Sequence, residues 1–180
     1  MKVLGISGSL RRRSYNGELL RVAGAQLPDG VEFDEWRNLA DIPAYNEDIS
    51  VIPCAVVVLK AALAEADAVL FATPEYNASV PGALKNALDW VSRPFLDNPL
   101  RGKPVAVIGA SQGVFGAIWA QAELKKVLRT LGAKVDDRNL VVAEAQSAFR
   151  EDRSLRDEAL ESALRILVYD LAGMPSRCAA

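Results

Sequence analysis

The chain has 180 residues, a length that suits one domain (residues 1–180) burying about 70% of its unfolded surface with no need of a disulfide or metal staple. It is 51% hydrophobic and 24% charged, with net charge −2. The only basic tract is Arg11–Arg13 and no apolar run reaches the ~18 residues of a membrane span, so neither nucleic-acid binding nor membrane insertion is expected. There are no histidines, which removes Ser-His-Asp and Cys-His catalysis, histidine-ligated zinc and histidine acid–base chemistry together. Difficult chemistry, if any, then falls to a bound cofactor. Cys54 and Cys178 form no metal or redox spacing, and the start "KVLGIS" has no signal-peptide core, so a reducing cytoplasm is the expected compartment.

In chain order, "KVLGIS" (2–7) reads as a buried strand. Residues 14–27 read as a helix with Ser14 as N-cap. "VEFDEWR" (31–37) alternates and reads as a less evenly covered strand. "PCAVVVLKAALAEA" (53–66) is ambiguous: Val56–Val58 favours strand, while its length and alanines favour helix. "DAVLFATP" (67–74) is a strand stopped by proline. From Pro81 a helix carries Leu84, Ala87, Leu88 and Val91 on one stripe. Trp90 lies off that stripe, either as an interface anchor or as a side chain covered by the Phe95–Leu100 loop. "KPVAVIGA" (103–110) is a strand, 116–131 a helix closed by Gly132, and 133–143 contains a fifth strand. Residues 154–173 form a last helix opened by a box-like Ser154 and Asp157.

Apolar strands alternating with helices predict an α/β fold, a doubly wound five-stranded parallel sheet of order 2-1-3-4-5 with helices on both faces. Ligands of such sheets bind beyond the strand carboxyl ends, which directs attention to three loops. After strand 1, "SGSLRRRSYN" supplies hydroxyls from Ser7, Ser9 and Ser14, a permissive Gly8, arginines and a helix N-terminus. That set suits an anion, although any one of these residues alone is better explained by a capped helix beside a solvated arginine cluster. No GxxxxGK[ST] is present, and Gly5, Gly8 and Gly17 lack the G-x-G-x-x-G spacing. A loop crowded with donors favours the terminal phosphate of a mononucleotide such as FMN. A receiver domain would need acidic residues where Ser-Gly-Ser stands, and a small tyrosine phosphatase would need arginine at Lys60.

After strand 3, "PEYNASVP" offers the Tyr76 ring and the Asn77 amide to a heterocycle, between Pro74 and Pro81. Glu75 either anchors this loop or orients a second subunit. A plain surface turn has the same composition. After strand 4, Ser111-Gln112-Gly113 either admits a ring against its backbone or only makes the turn.

"GSLRRRSYN", "TPEYNASVPGALKNALDW" and "GASQGVFGA" together resemble the NADPH-dependent FMN reductase family, flavodoxin-like quinone, chromate and azo reductases, over nearly the whole chain. The resemblance implies a non-covalent FMN, with NADPH or NADH as co-substrate. It implies a cofactor-binding set of Ser9, Leu10, Arg11, Ser14, Tyr15 and Asn16 around the phosphate. Pro74, Glu75, Tyr76 and Asn77 would line the isoalloxazine, with Ser111 near the ribityl side or ring. No residue of the chain is assigned as catalytic and no metal is expected, because the flavin carries the chemistry. Hydride would pass by a ping-pong mechanism to a quinone, or to chromate, azo compounds or free flavin. A homodimer or homotetramer is implied. Ala78 stands where many relatives have glycine, and Gln112 where smaller residues are common. The competing reading is a flavodoxin-type electron carrier with no NAD(P)H turnover of its own.

Overall fold

A computed structural model describes residues 1–174; Cys178 lies outside them. Strands β1 (Lys2–Ser7), β2 (Glu32–Trp36), β3 (Ala68–Ala72) and β4 (Pro104–Ala110) pair in parallel in the order β2-β1-β3-β4. Two short segments, β5 (Lys134–Val135) and β6 (Leu140–Val142), both run parallel to β4, at its start and its end. The expected order 2-1-3-4-5 therefore holds, but the fifth strand is broken in two. The break is "DDRN", whose carbonyls at Asp137 and Arg138 and side chain at Asn139 are gathered by the buried Lys125 ammonium. Polar backbone turned to a buried cation is not available to a sheet ladder.

Helices α1 (Tyr15–Ala25), α2 (Cys54–Glu65), α3 (Gly82–Val91), α4 (Ile118–Thr130) and α5 (Glu158–Leu171) cover both faces. Alternation along the strands divides the core. Leu4, Ile6, Val69, Phe71, Val105 and Val107 face α2, α3 and α4. Val3, Leu70, Ala72, Ala106 and Ile108 face α1 and α5. The ambiguous 53–66 segment is α2, because parallel β2 and β3 need a crossover and only Val56 of the valine run is buried. At the edge, Phe33 fills the space that a Cβ at Gly5 or Gly24 would need, at 2.5 and 2.4 Å from its ring.

Two local expectations are corrected. Helix α5 begins at Glu158, capped by Asp157, whose carboxylate accepts from the N–H groups of Ala159 and Leu160. Ser154 is instead bonded to Asp152. Trp90 is buried, donating its indole N–H to Pro43 O (2.8 Å) with Tyr45 edge-on. It is thus packed under the segment after β2 and is not an exposed interface anchor. No helix among the described residues is long and apolar enough to cross a membrane.

Candidate functional site

The loops after β1, β3 and β4 converge at the carboxyl edge of the sheet. The first is folded by its own hydroxyls: Ser7 Oγ accepts from the Ser9 N–H (3.2 Å) and Ser9 Oγ from the Arg11 N–H (3.4 Å). Ser14 caps α1 as expected, its Oγ accepting from the N–H groups of Asn16 and Gly17. The backbone N–H groups of Leu10, Arg12 and Tyr15 have no acceptor among the described residues. Free donors, an arginine and a helix N-terminus in one loop make an anion cradle. Gly8 serves packing rather than ligand approach: its N–H donates to Ala72 O (2.8 Å), and a Cβ there would press on Leu84 and Pro74.

Asn16 is buried, and its amide is committed to the sheet. Nδ2 donates to Ala110 O (2.8 Å) and Oδ1 accepts from the Ala110 N–H (2.9 Å). The residue thereby ties the N-terminus of α1 to the end of β4, 94 positions away in sequence.

The second loop is a miniature hairpin. Tyr76 and Ser79 exchange both backbone hydrogen bonds, and the residues between them, Asn77 (φ 54°) and Ala78 (φ 57°), are both left-handed, as a type I′ turn requires. Carboxylates at its two ends latch it to α4. Glu75 accepts from the Ala120 N–H (3.0 Å), capping a helix whose own N-cap, Ala117, has no side chain to do so. Glu123 of α4 accepts from the Val80 N–H (3.2 Å), and the Ser79 hydroxyl and this N–H hold its carboxyl below the usual glutamate range. Of the two roles open to Glu75, anchoring the loop is the one the structure shows.

The third loop is pinned to the end of β6 and the chain just after it: the Ser111 N–H donates to Val142 O, and Ser111 O accepts from the Ala145 N–H (both 3.0 Å).

These loops enclose a cleft of about 350 Å³ lined by Ser9, Arg11, Ser14, Tyr15, Asn16, Pro74, Glu75, Tyr76 and Ala110–Gly113. Of the expected cofactor-binding set, only Leu10 and Asn77 lie off it. Leu10 lines neighbouring depressions on either side of the first loop, and Asn77 sits exposed at the hairpin tip. Inside the cleft, Tyr15 is stacked on Phe149, with the Arg11 guanidinium 6.0 Å from its ring centroid. Sequence reasoning missed Ala110, whose backbone borders the cleft through Asn16. It also passed over a second, arginine-lined cleft reaching from the first loop to the end of β2. The rule that led to strands 1, 3 and 4 applied to strand 2 as well.

The arrangement fits a mononucleotide flavin. One end offers charged and N–H donors for a phosphate, and the other offers the half-exposed Tyr76 ring between two backbone-walled loops.

Comparison with known proteins agrees. The family model described as NADPH-dependent FMN reductase matches residues 1–147. An NAD(P)H-dependent FMN reductase of Pseudomonas aeruginosa is 43% identical over 183 residues, covering 96% of this chain and 98% of that protein. A quinone reductase of Escherichia coli is 41% identical over 138 residues, covering 75% and 73%. Among solved structures, the flavoenzyme NAD(P)H:(acceptor) oxidoreductase FerB of Paracoccus denitrificans superposes with TM-score 0.85 at 38% identity, covering 96% of this chain and 95% of that one. The chain belongs to the NADPH-dependent FMN reductase family.

Proposed function

We propose that this member of the family is an FMN-dependent NAD(P)H:quinone oxidoreductase, with residues 1–180 acting as one FMN-binding unit. The observation that carries the reading is the single cleft that brings the donor-rich first loop together with the 74–76 and 111–113 walls. Arg11, Ser9, Ser14 and the free N–H group of Tyr15 bind the phosphate. Tyr76, Pro74 and the Ser111–Gly113 backbone orient the ring, and Asn16 and Glu75 hold those elements in place from behind.

When bound, FMN supplies two-electron redox chemistry between a nicotinamide nucleotide and a quinone; the protein supplies position and electrostatics. The cleft is open to solvent beside Tyr76, which is 48% exposed, so donor and acceptor use one face in turn, as a ping-pong mechanism requires. No side chain is needed as a proton shuttle, consistent with a chain that contains no histidine.

The protein assembles as a homodimer or homotetramer in this reading. Val114, Phe115, Ile118 and Trp119 support it: all are exposed, and they lie immediately beyond the Ser111–Gly113 wall. An absorbance spectrum of the purified protein followed by NAD(P)H titration with a benzoquinone tests the function. A flavin spectrum with steady turnover is expected; a yellow protein without turnover would instead be an electron carrier. Light scattering tests the assembly, and a monomer would contradict it.

A further inference from the structure

Two walls of the flavin cleft, the 74–76 segment and the 111–113 loop, hang from one helix. Residues 120–125 of α4 carry the attachments. The Ala120 N–H and the Glu123 carboxylate hold the hairpin at Glu75 and Val80. The other two polar side chains of this stretch, Gln121 and Lys125, are one turn apart and buried, and both bond to the region of the broken fifth strand. Lys125 gathers the 137–139 turn, and Gln121 takes the strand that follows it. Gln121 Nε2 donates to Leu140 O at the start of β6 (3.0 Å) and to Gly116 O, where the third loop runs into α4 (3.4 Å). Both partners are carbonyls, which fixes the amide this way round.

The slot for this amide is built by glycine. A Cβ at Gly109 of β4 would lie 2.8 Å from Gln121 Nε2, and one at Gly116 would collide with Val141 of β6. Gln121 is wholly buried, yet its Oε1 has no hydrogen-bond partner among the described residues. An apolar side chain of the same volume would fill the space without desolvating an amide or leaving its oxygen unpaired. What the amide adds over such a side chain is a fixed separation between β6 and the start of α4.

That separation reaches the cleft through backbone. Among the described residues β6 pairs with β4 alone, over Leu140–Val142. Its last carbonyl, Val142 O, accepts from the Ser111 N–H. The chain just beyond donates from Glu144 N–H to Gly113 O (3.3 Å) and from Ala145 N–H to Ser111 O. A shift of β6 along α4 therefore carries Ser111 and Gly113 with it, and these line the cleft together with Tyr76.

We propose that Gln121 is a positioning residue for the flavin: without lining the cleft, its amide sets the Ser111–Gly113 wall relative to the hairpin wall and so the width open to the ring. The proposal rests on the reading that FMN occupies this cleft.

The test uses the full chain. Gln121→Met keeps the volume and removes the donor. Leu63→Ala, a cavity-forming change in α2, none of whose residues lines the cleft, serves as the merely destabilising comparison. Fluorescence titration should show the Kd for FMN raised about fivefold or more in Gln121→Met and within about twofold of the parent in Leu63→Ala, although the latter also lowers the melting temperature. The visible circular dichroism of the bound flavin, which reports the asymmetry of its surroundings, should change in Gln121→Met only. Should Gln121→Met not fold, Gln121→Leu removes the same donor and is read the same way. Parent-like affinity and dichroism in a folded Gln121 variant would overturn the proposal, as would an equal shift in Leu63→Ala. A parent that binds no FMN would sink the reductase reading. The positioning is then read by hydrogen exchange: faster exchange of the Ser111, Glu144 and Ala145 amides in Gln121→Met than in Leu63→Ala upholds it, and equal exchange overturns it.

Discussion

Asn16 and Ala110 form a closed pair of hydrogen bonds, Nδ2–H to carbonyl and N–H to Oδ1, in which one side chain imitates a neighbouring strand. The pair sits where β4 ends and the sheet can no longer satisfy its own backbone. Replacing Asn16 by Ala leaves a buried N–H and a buried carbonyl without partners, which costs about 2–4 kcal/mol. Asn16→Asp keeps one bond and opposes a carbonyl with a carboxylate, so it is destabilising too. Urea unfolding of the FMN-free protein checks this: a residue serving only the ligand would leave that stability unchanged.

Arg11 is the one arginine that lines the flavin cleft. Arg11→Ala should weaken FMN binding by about 1.5–3 kcal/mol, the range for a hydrogen bond to a charged group, or roughly tenfold to a hundredfold in Kd. Fluorescence titration with FMN reads it. Unchanged affinity would move the phosphate away from this loop.

Ala78 occupies the second left-handed position of the hairpin turn at φ 57°, where a Cβ is strained. Ala78→Gly should stabilise the protein by about 1 kcal/mol, the relief of strain exceeding the added freedom of the unfolded chain. Chemical denaturation measures the gain. No gain would mean that the turn relaxes without effort around alanine.

Glu123 binds the loop through its ionised form, which the Ser79 hydroxyl and the Val80 N–H favour. Its carboxyl is depressed in the folded state, so the latch contributes fully above the ordinary glutamate pKa of about 4.3 and is lost as pH falls through the lower folded value. Glu123→Gln should therefore lower the melting temperature at neutral pH, with the difference from the parent shrinking as the solution is made acidic. A difference that persists at the lowest pH would assign the effect to shape rather than charge.

The strand and helix pattern was legible because burial writes its own period. Apolar runs such as "AVLFA" and "VAVIG" must be covered on both sides, and that requirement alone implies parallel strands between helices. The first loop was legible for a similar reason, since hydroxyls and arginine beside a helix start have few common purposes. Local chemistry, however, does not say where a side chain turns. Asn16 reads as a phosphate ligand until Ala110 is beside it, and Glu75 as a flavin neighbour until the N-terminus of α4 is found in need of a cap. Ser154 and Asp157 compete for one cap, and only the backbone path decides between them.

By itself, then, the sequence determined the layering, the strand order, the donor-rich, arginine-bearing character of the first loop and the absence of histidine chemistry. The tertiary structure decided which donors remain free, which carboxylates latch the loops, and that Arg21, Trp36, Arg37 and Arg153 line one cleft with Arg11 and Arg12. The reason is distance along the chain: these groups come from four separate segments, and only the packing of α1 and β2 around β1, with the 149–155 turn beside them, brings their charges into one field.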